Sequence, residues 1–309
     1  MQDAVAEAGS ANQGQWKAEL VEIVRAVSGG LLFGVPLLYT MEIWWLGEHT
    51  NARQMLLILL VLGVLLVVLN LTAGFRSTKD VRLRDAVADA VESLAIGLVV
   101  TAVVLVMLRE VTIGTPLSSA LGKVVNESVP FCLGIGVARF LLAGDPGMSE
   151  DDEDDDSEEG QEGEGGSDSD EDVASQPKPL NASVADIGAT VLGATFIGLS
   201  IAPTDEVPML ASAMGPAWLV IVLAASLATS YAIVFVAGFA RQEQRHKQEG
   251  IFQRPGIETI VTYVAALIVA GLLLWLFQRD VSPASDLLDR VVVLGFPAAI
   301  GGAAGRLAL

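Results

Sequence analysis

Long apolar runs recur eight times along this chain, at residues 26–46, 55–75, 86–108, 120–142, 185–203, 216–240, 257–277 and 288–309. A helix needs about 20 predominantly apolar residues to cross a hydrocarbon layer roughly 30 Å thick. Lipid offers no partner to a bare backbone, so spanning segments must be helices or strands of a closed barrel. Uninterrupted runs of this length exclude the roughly 10-residue alternation of barrel strands. Only 18% of the 309 residues are charged and 52% are hydrophobic, whereas soluble domains carry about 25% charged residues. The chain therefore reads as an all-α membrane protein with eight spans.

The runs fall into two sets of four. "GLLFGVPLLYTMEIWWL" from Gly30 aligns with "ATFIGLSIAPTDEVPML" from Ala194, pairing Gly34 with Gly198, Thr40 with Thr204 and Glu42 with Glu206 at an offset of 164. "TAGFRSTKD" aligns with "VAGFARQEQ", and "LVMLREVT" with "LWLFQRDVS". "SVPFCLGIGVARFLL" aligns with "GFPAAIGGAAGRLAL", pairing Pro130 with Pro297 and Arg139 with Arg306. Four landmarks in one order predict tandem parallel four-helix repeats, 26–142 and 185–309. An even number of spans per unit brings both units in from the same side, so the pseudo-two-fold axis follows the membrane normal.

Between the units, residues 143–184 form a linker dominated by the acidic tract 150–172, which holds 15 of the 37 acids and no base. It has no aliphatic or aromatic residue, so burial cannot offset its ordering entropy. It is expected to be a disordered spacer. The net charge of −19 mostly reports this tract and leaves 22 acids against 18 Lys and Arg elsewhere. Thirteen Lys or Arg fall on the N-terminal side of the spans and five on the other. That bias predicts a multi-pass cell-membrane protein with both termini and the linker cytoplasmic. Residues 1–25, with Trp16, Leu20 and Ile23 on one stripe, read as a cytoplasmic segment with an interfacial helix. Cys132, the single cysteine, lies in an apolar run and offers no disulfide or thiolate metal site.

Two groups of polar residues stand out. Glu42 and Glu206 are repeat-equivalent, and Asp205 adjoins the second. Pro36, Pro203 and Pro208 lie nearby, and broken helices at membrane depth line cavities. Carboxylates beside freed carbonyls make an oxygen-rich site for monovalent or divalent cations. An interfacial turn with its carboxylates among headgroups is the competing reading. At the other end, Asp85, Asp89 and Glu92 share one helix face, and Glu258 begins the seventh span. Arg76, Arg241, Arg139 and Arg306 are their plausible partners, either in a structural ion-pair network or along a proton pathway. The triplet Asn126-Glu127-Ser128 fits a glycosylation acceptor but is too short to be specific.

The "AGFR" and "APTDE" segments resemble an uncharacterised family of prokaryotic multi-spanning putative integral membrane proteins. The resemblance covers nearly the whole chain outside the linker. It implies eight spans and carries no activity or catalytic residue. A cation channel or secondary transporter with carboxylates at the repeat interface is the leading expectation. The alternative is a non-transporting sensor or scaffold acting through the acidic linker. No enzyme motif, cofactor motif or nucleic-acid-binding feature is present, the expected partner is the lipid bilayer, and the oligomeric state is not legible.

Overall fold

The computed structural model of the protein describes residues 2–76, 83–141, 179–237, 254–279 and 283–308. The tract 150–172 and Arg241 lie outside them. Ten α-helices and no strand occur among the described residues: α1 (Gln2–Leu38), α2 (Met41–His49), α3 (Ala52–Arg76), α4 (Leu83–Met107), α5 (Leu117–Leu141), α6 (Pro179–Ile201), α7 (Glu206–Ser212), α8 (Pro216–Tyr231), α9 (Pro255–Leu276) and α10 (Ala284–Ala308). A π turn, Ala232–Val236, continues α8. Each half thus runs long helix, short helix, then three long helices.

Seven helices are long and apolar enough to cross a membrane: α1 from Glu19, α3, α4, α6 from Val184, α8 with its π turn, α9 and α10. The expected fourth run is α5, which is equally long but carries Lys123, Asn126, Glu127 and Arg139 within its 25 residues. It packs against all four other helices of its half, as α10 packs against those of the second. The most lipid-facing helix is α3, with 11% of its window buried. Its exposed Leu56, Leu57 and Leu60 suit hydrocarbon, not water.

Helix α1 runs without a break from Gln2 to Leu38, so the N-terminal segment leads directly into the first span. One expectation is corrected. The first span ends at Leu38 and not near residue 46, since Thr40 adopts an extended conformation (φ −138°, ψ 101°) and α2 restarts the helix. Pro36 removes one backbone donor just before that break.

The first and last helices of each half approach at glycines. A Cβ on Gly134 would lie 2.6 Å from the Gly29 carbonyl, and one on Gly301 would lie 2.5 Å from the Gly193 carbonyl. Small residues let helix backbones meet where no hydrophobic drive separates helix from lipid. The third long helices also end alike. Glu110 N donates to Leu105 O (2.9 Å) and Arg279 N donates to Leu274 O (2.7 Å). Arg109 (φ 66°) and Gln278 (φ 56°) take the left-handed position of this cap.

One hydrophobic core runs through both halves, with Leu38, Trp44, Leu105 and Phe131 of the first against Ile201, Leu210, Leu274 and Phe296 of the second. Polar contacts cross the seam at both ends. Tyr39 donates to Val293 O (2.8 Å), Trp218 Nε1 to Met107 O (2.7 Å) and Arg25 Nε to Ala237 O (2.8 Å). The Arg109 guanidinium also lies 5.2 Å from the Trp218 ring centroid.

Candidate functional site

The helix breaks fall at the same rim in both halves, and the predicted cation residues are there. Glu42 is exposed in the first turn of α2, while Glu206 opens α7 and is 6% exposed. Glu206 Oε1 accepts the N–H of Met41 at 3.1 Å. Met41 is the first residue of α2, so its N–H has no partner within that helix. A carboxylate there also meets the positive end of the helix dipole. Glu206 is thereby tied to the residue next to Glu42, and the two glutamates differ sharply in burial.

Asp205 follows a different course. Its Oδ1 receives Arg279 Nη1 at 2.7 Å, while Arg279 Nη2 donates to Pro203 O at 2.6 Å. At the first break the Leu38 carbonyl accepts the indole N–H of Trp44 at 2.9 Å. Carbonyls freed at both breaks are therefore bound by protein donors. No group of three or more His, Cys, Asp or Glu side chains able to hold a metal ion occurs among the described residues.

A second polar cluster at this rim was not anticipated. Lys123, 6% exposed, bridges Glu48 Oε1 (3.0 Å) and Glu110 Oε2 (3.1 Å), and donates to Glu110 O (3.3 Å). The second half has a matching contact, Arg290 Nη1 to Arg279 O at 3.1 Å. Each is a base on the last helix holding the cap of the third. One turn beyond Lys123, Glu127 is fully buried with both oxygens unbonded. Asn126 Nδ2 donates to Thr50 Oγ1 (3.0 Å) and Gly122 O (2.8 Å), and Ser128 is buried. The residues of this triplet lie inside a packed helix and not on a loop, which agrees with a chance match to the glycosylation motif. The available signal was an ionisable residue within a predicted span.

At the opposite rim Glu258 meets Arg306, one of the four arginines named as partners for the acids there. Arg306 is 1% exposed, its Nη2 binds Glu258 Oε1, and its Nη1 lies 3.4 Å from Thr262 Oγ1. Asp186 adds a contact at 3.9 Å from Nε, and the guanidinium lies 5.5 Å from the Phe235 ring centroid. Burial of so large a cation demands such matched partners. Asp186 was missed although it is the second residue of the predicted run 185–203. Asp85, Asp89 and Glu92 lie on exposed positions of α4. Arg76 and Arg139 belong to α3 and α5, but their side chains, like Arg241, fall outside what the structure describes.

The arrangement has ionisable side chains inside a lipid-suited bundle, at two levels. A family model described as Putative integral membrane protein (DUF2391) matches residues 22–309. No curated protein and no solved structure matches the chain.

Proposed function

The chain belongs to that integral membrane family, and from this premise we propose that it moves cations across the cell membrane, as a channel or secondary transporter. The observation that carries the reading is Glu206, a buried carboxylate at the seam of the two halves, held by a backbone N–H and, among the described residues, by no basic side chain. Ionisable groups at such depth are costly and mark ion pathways. Asp205 is a supporting charge already engaged by Arg279, and Glu42 an exposed entry residue.

In the same reading the protein has eight spans in two tandem parallel four-helix units, with α5 as the fourth span and both termini cytoplasmic. Three paired features support it: the glycine contacts of Gly29 with Gly134 and Gly193 with Gly301, the left-handed caps at Arg109 and Gln278, and the bases Lys123 and Arg290 on those caps. A helix as polar as α5 is sheltered from lipid by its four neighbours.

Alkali and alkaline-earth cation flux into proteoliposomes tests the function. Wild-type protein should give flux above empty liposomes, Glu206→Gln should lower it, and Glu42→Gln should alter it less. Absence of flux from correctly inserted wild-type protein would favour the sensor or scaffold reading instead.

A further inference from the structure

Glu127 differs from the other carboxylates of the bundle. It is fully buried on α5 and neither oxygen has a hydrogen-bond donor. A bare carboxylate in an apolar interior is too costly to keep charged and unpaired, so it must hold a proton or a cation. Ligand count decides between them. Glu127 belongs to no group of three or more His, Cys, Asp or Glu side chains able to hold a metal ion among the described residues. The Lys123 ammonium one helical turn away is already bound by Glu48 and Glu110.

The surroundings are otherwise engaged. From α2 come Glu48, bound to Lys123, and the exposed Glu42 and His49. From the end of α4 come Glu110, also bound to Lys123, and Arg109, stacked over Trp218. The Glu110 carboxylate is within electrostatic reach of Glu127. From the break after α1 comes Tyr39, which donates to Val293 O, and from α3 the exposed Arg53. The other charged residues of α1 and α4 lie toward the opposite rim.

Packing does not require this carboxylate. In the register that pairs Pro130 with Pro297, Glu127 falls on Leu294, which is fully buried in the second half.

The geometry points to Glu127 as a proton-binding site inside the bundle, exchanging with the rim through the Glu110–Lys123–Glu48 cluster. Loading forms an O–H bond on a Glu127 oxygen as a rim carboxylic acid or hydronium ion gives up its proton. Release reverses this and leaves a carboxylate facing the Lys123 ammonium. If the chain moves cations, this proton is the coupling ion, and that use rests on the proposed transport function. The site itself does not.

Infrared difference spectra of the full chain in lipid nanodiscs, titrated with pH, test it. A protonated-carboxyl C=O band should persist at about pH 7, well above the ordinary Glu value of about 4.3. It should be lost in both Glu127→Gln and Glu127→Leu, the second copying Leu294 so that a folded variant is at hand. A wild-type spectrum without the band, or a band retained in a folded variant, would overturn the proposal. Cation flux on the same preparations separates the two readings. A band without flux removes the transport reading and leaves the site, whereas flux without a band removes only the site.

Discussion

The Glu206 carboxylate lies 3.1 Å from the backbone nitrogen of Met41, so a side chain of the second half completes the start of a helix in the first. That contact joins the two helix breaks directly. Replacing Glu206 with Ala strands the Met41 N–H in a mostly buried place. The loss should be about 1.5–3 kcal/mol, as for hydrogen bonds to charged groups. Glu206→Gln keeps an acceptor and should lose less. Thermal unfolding in detergent orders the three proteins, and equal stability of wild type and the Ala variant would remove the structural role.

Arg306 and Glu258 form a buried pair, so single and double changes should not add. Arg306→Met removes the buried cation that contacts both Glu258 and Asp186 and should cost about 3–5 kcal/mol. Combining it with Glu258→Met should recover much of that loss. A double variant as unstable as the sum of the singles would show that the two side chains act independently.

Asp205 and Arg279 are paired at a wetter position, where the Asp205 side chain is 72% exposed. Asp205→Asn should cost no more than about 1 kcal/mol and the effect should shrink in high salt. Arg279→Ala should cost more, because the Pro203 carbonyl loses its donor as well. Melting curves at low and high salt separate these cases.

Among the glycines, position decides tolerance. Gly301→Ala puts a methyl group against the Gly193 carbonyl and the Ile197 side chain and should cost about 1–3 kcal/mol by overpacking. A Cβ at Gly63 meets nothing within 4 Å, so Gly63→Ala should stay within about 0.5 kcal/mol of wild type. Comparable losses at both sites, read from the same melting curves, would argue against close contact between α6 and α10.

Apolar run length made most of the helices legible, because hydrocarbon thickness is a strict constraint and needs no tertiary information. Glu258 and Arg306 were legible as members of one polar group, since both flank spans at one rim, but which arginine meets which acid depends on packing. The outcome at Glu42 and Glu206 was not. Their register is symmetric, but Glu206 turns onto the start of α2 and is buried there, while Glu42 in the first turn of α2 is exposed. Lys123 and Glu127 fall inside the predicted run 120–142, but the polar "GKVVNES" at its start reads as the rim end of a span, and their burial follows from packing of α5 against α1 to α4.

The π turn Ala232–Val236 makes chain length itself a constraint. Its closing bond runs from Ala237 N to Ala232 O, one residue wider than an α-helical turn. Removing a single residue there would rewind the segment as α-helix and swing the downstream chain by about 100°. Phe235 would turn away from Arg306, and the Ala237 carbonyl would leave Arg25. Deletions and insertions in these five residues should therefore be tolerated far less than exchanges of one apolar side chain for another.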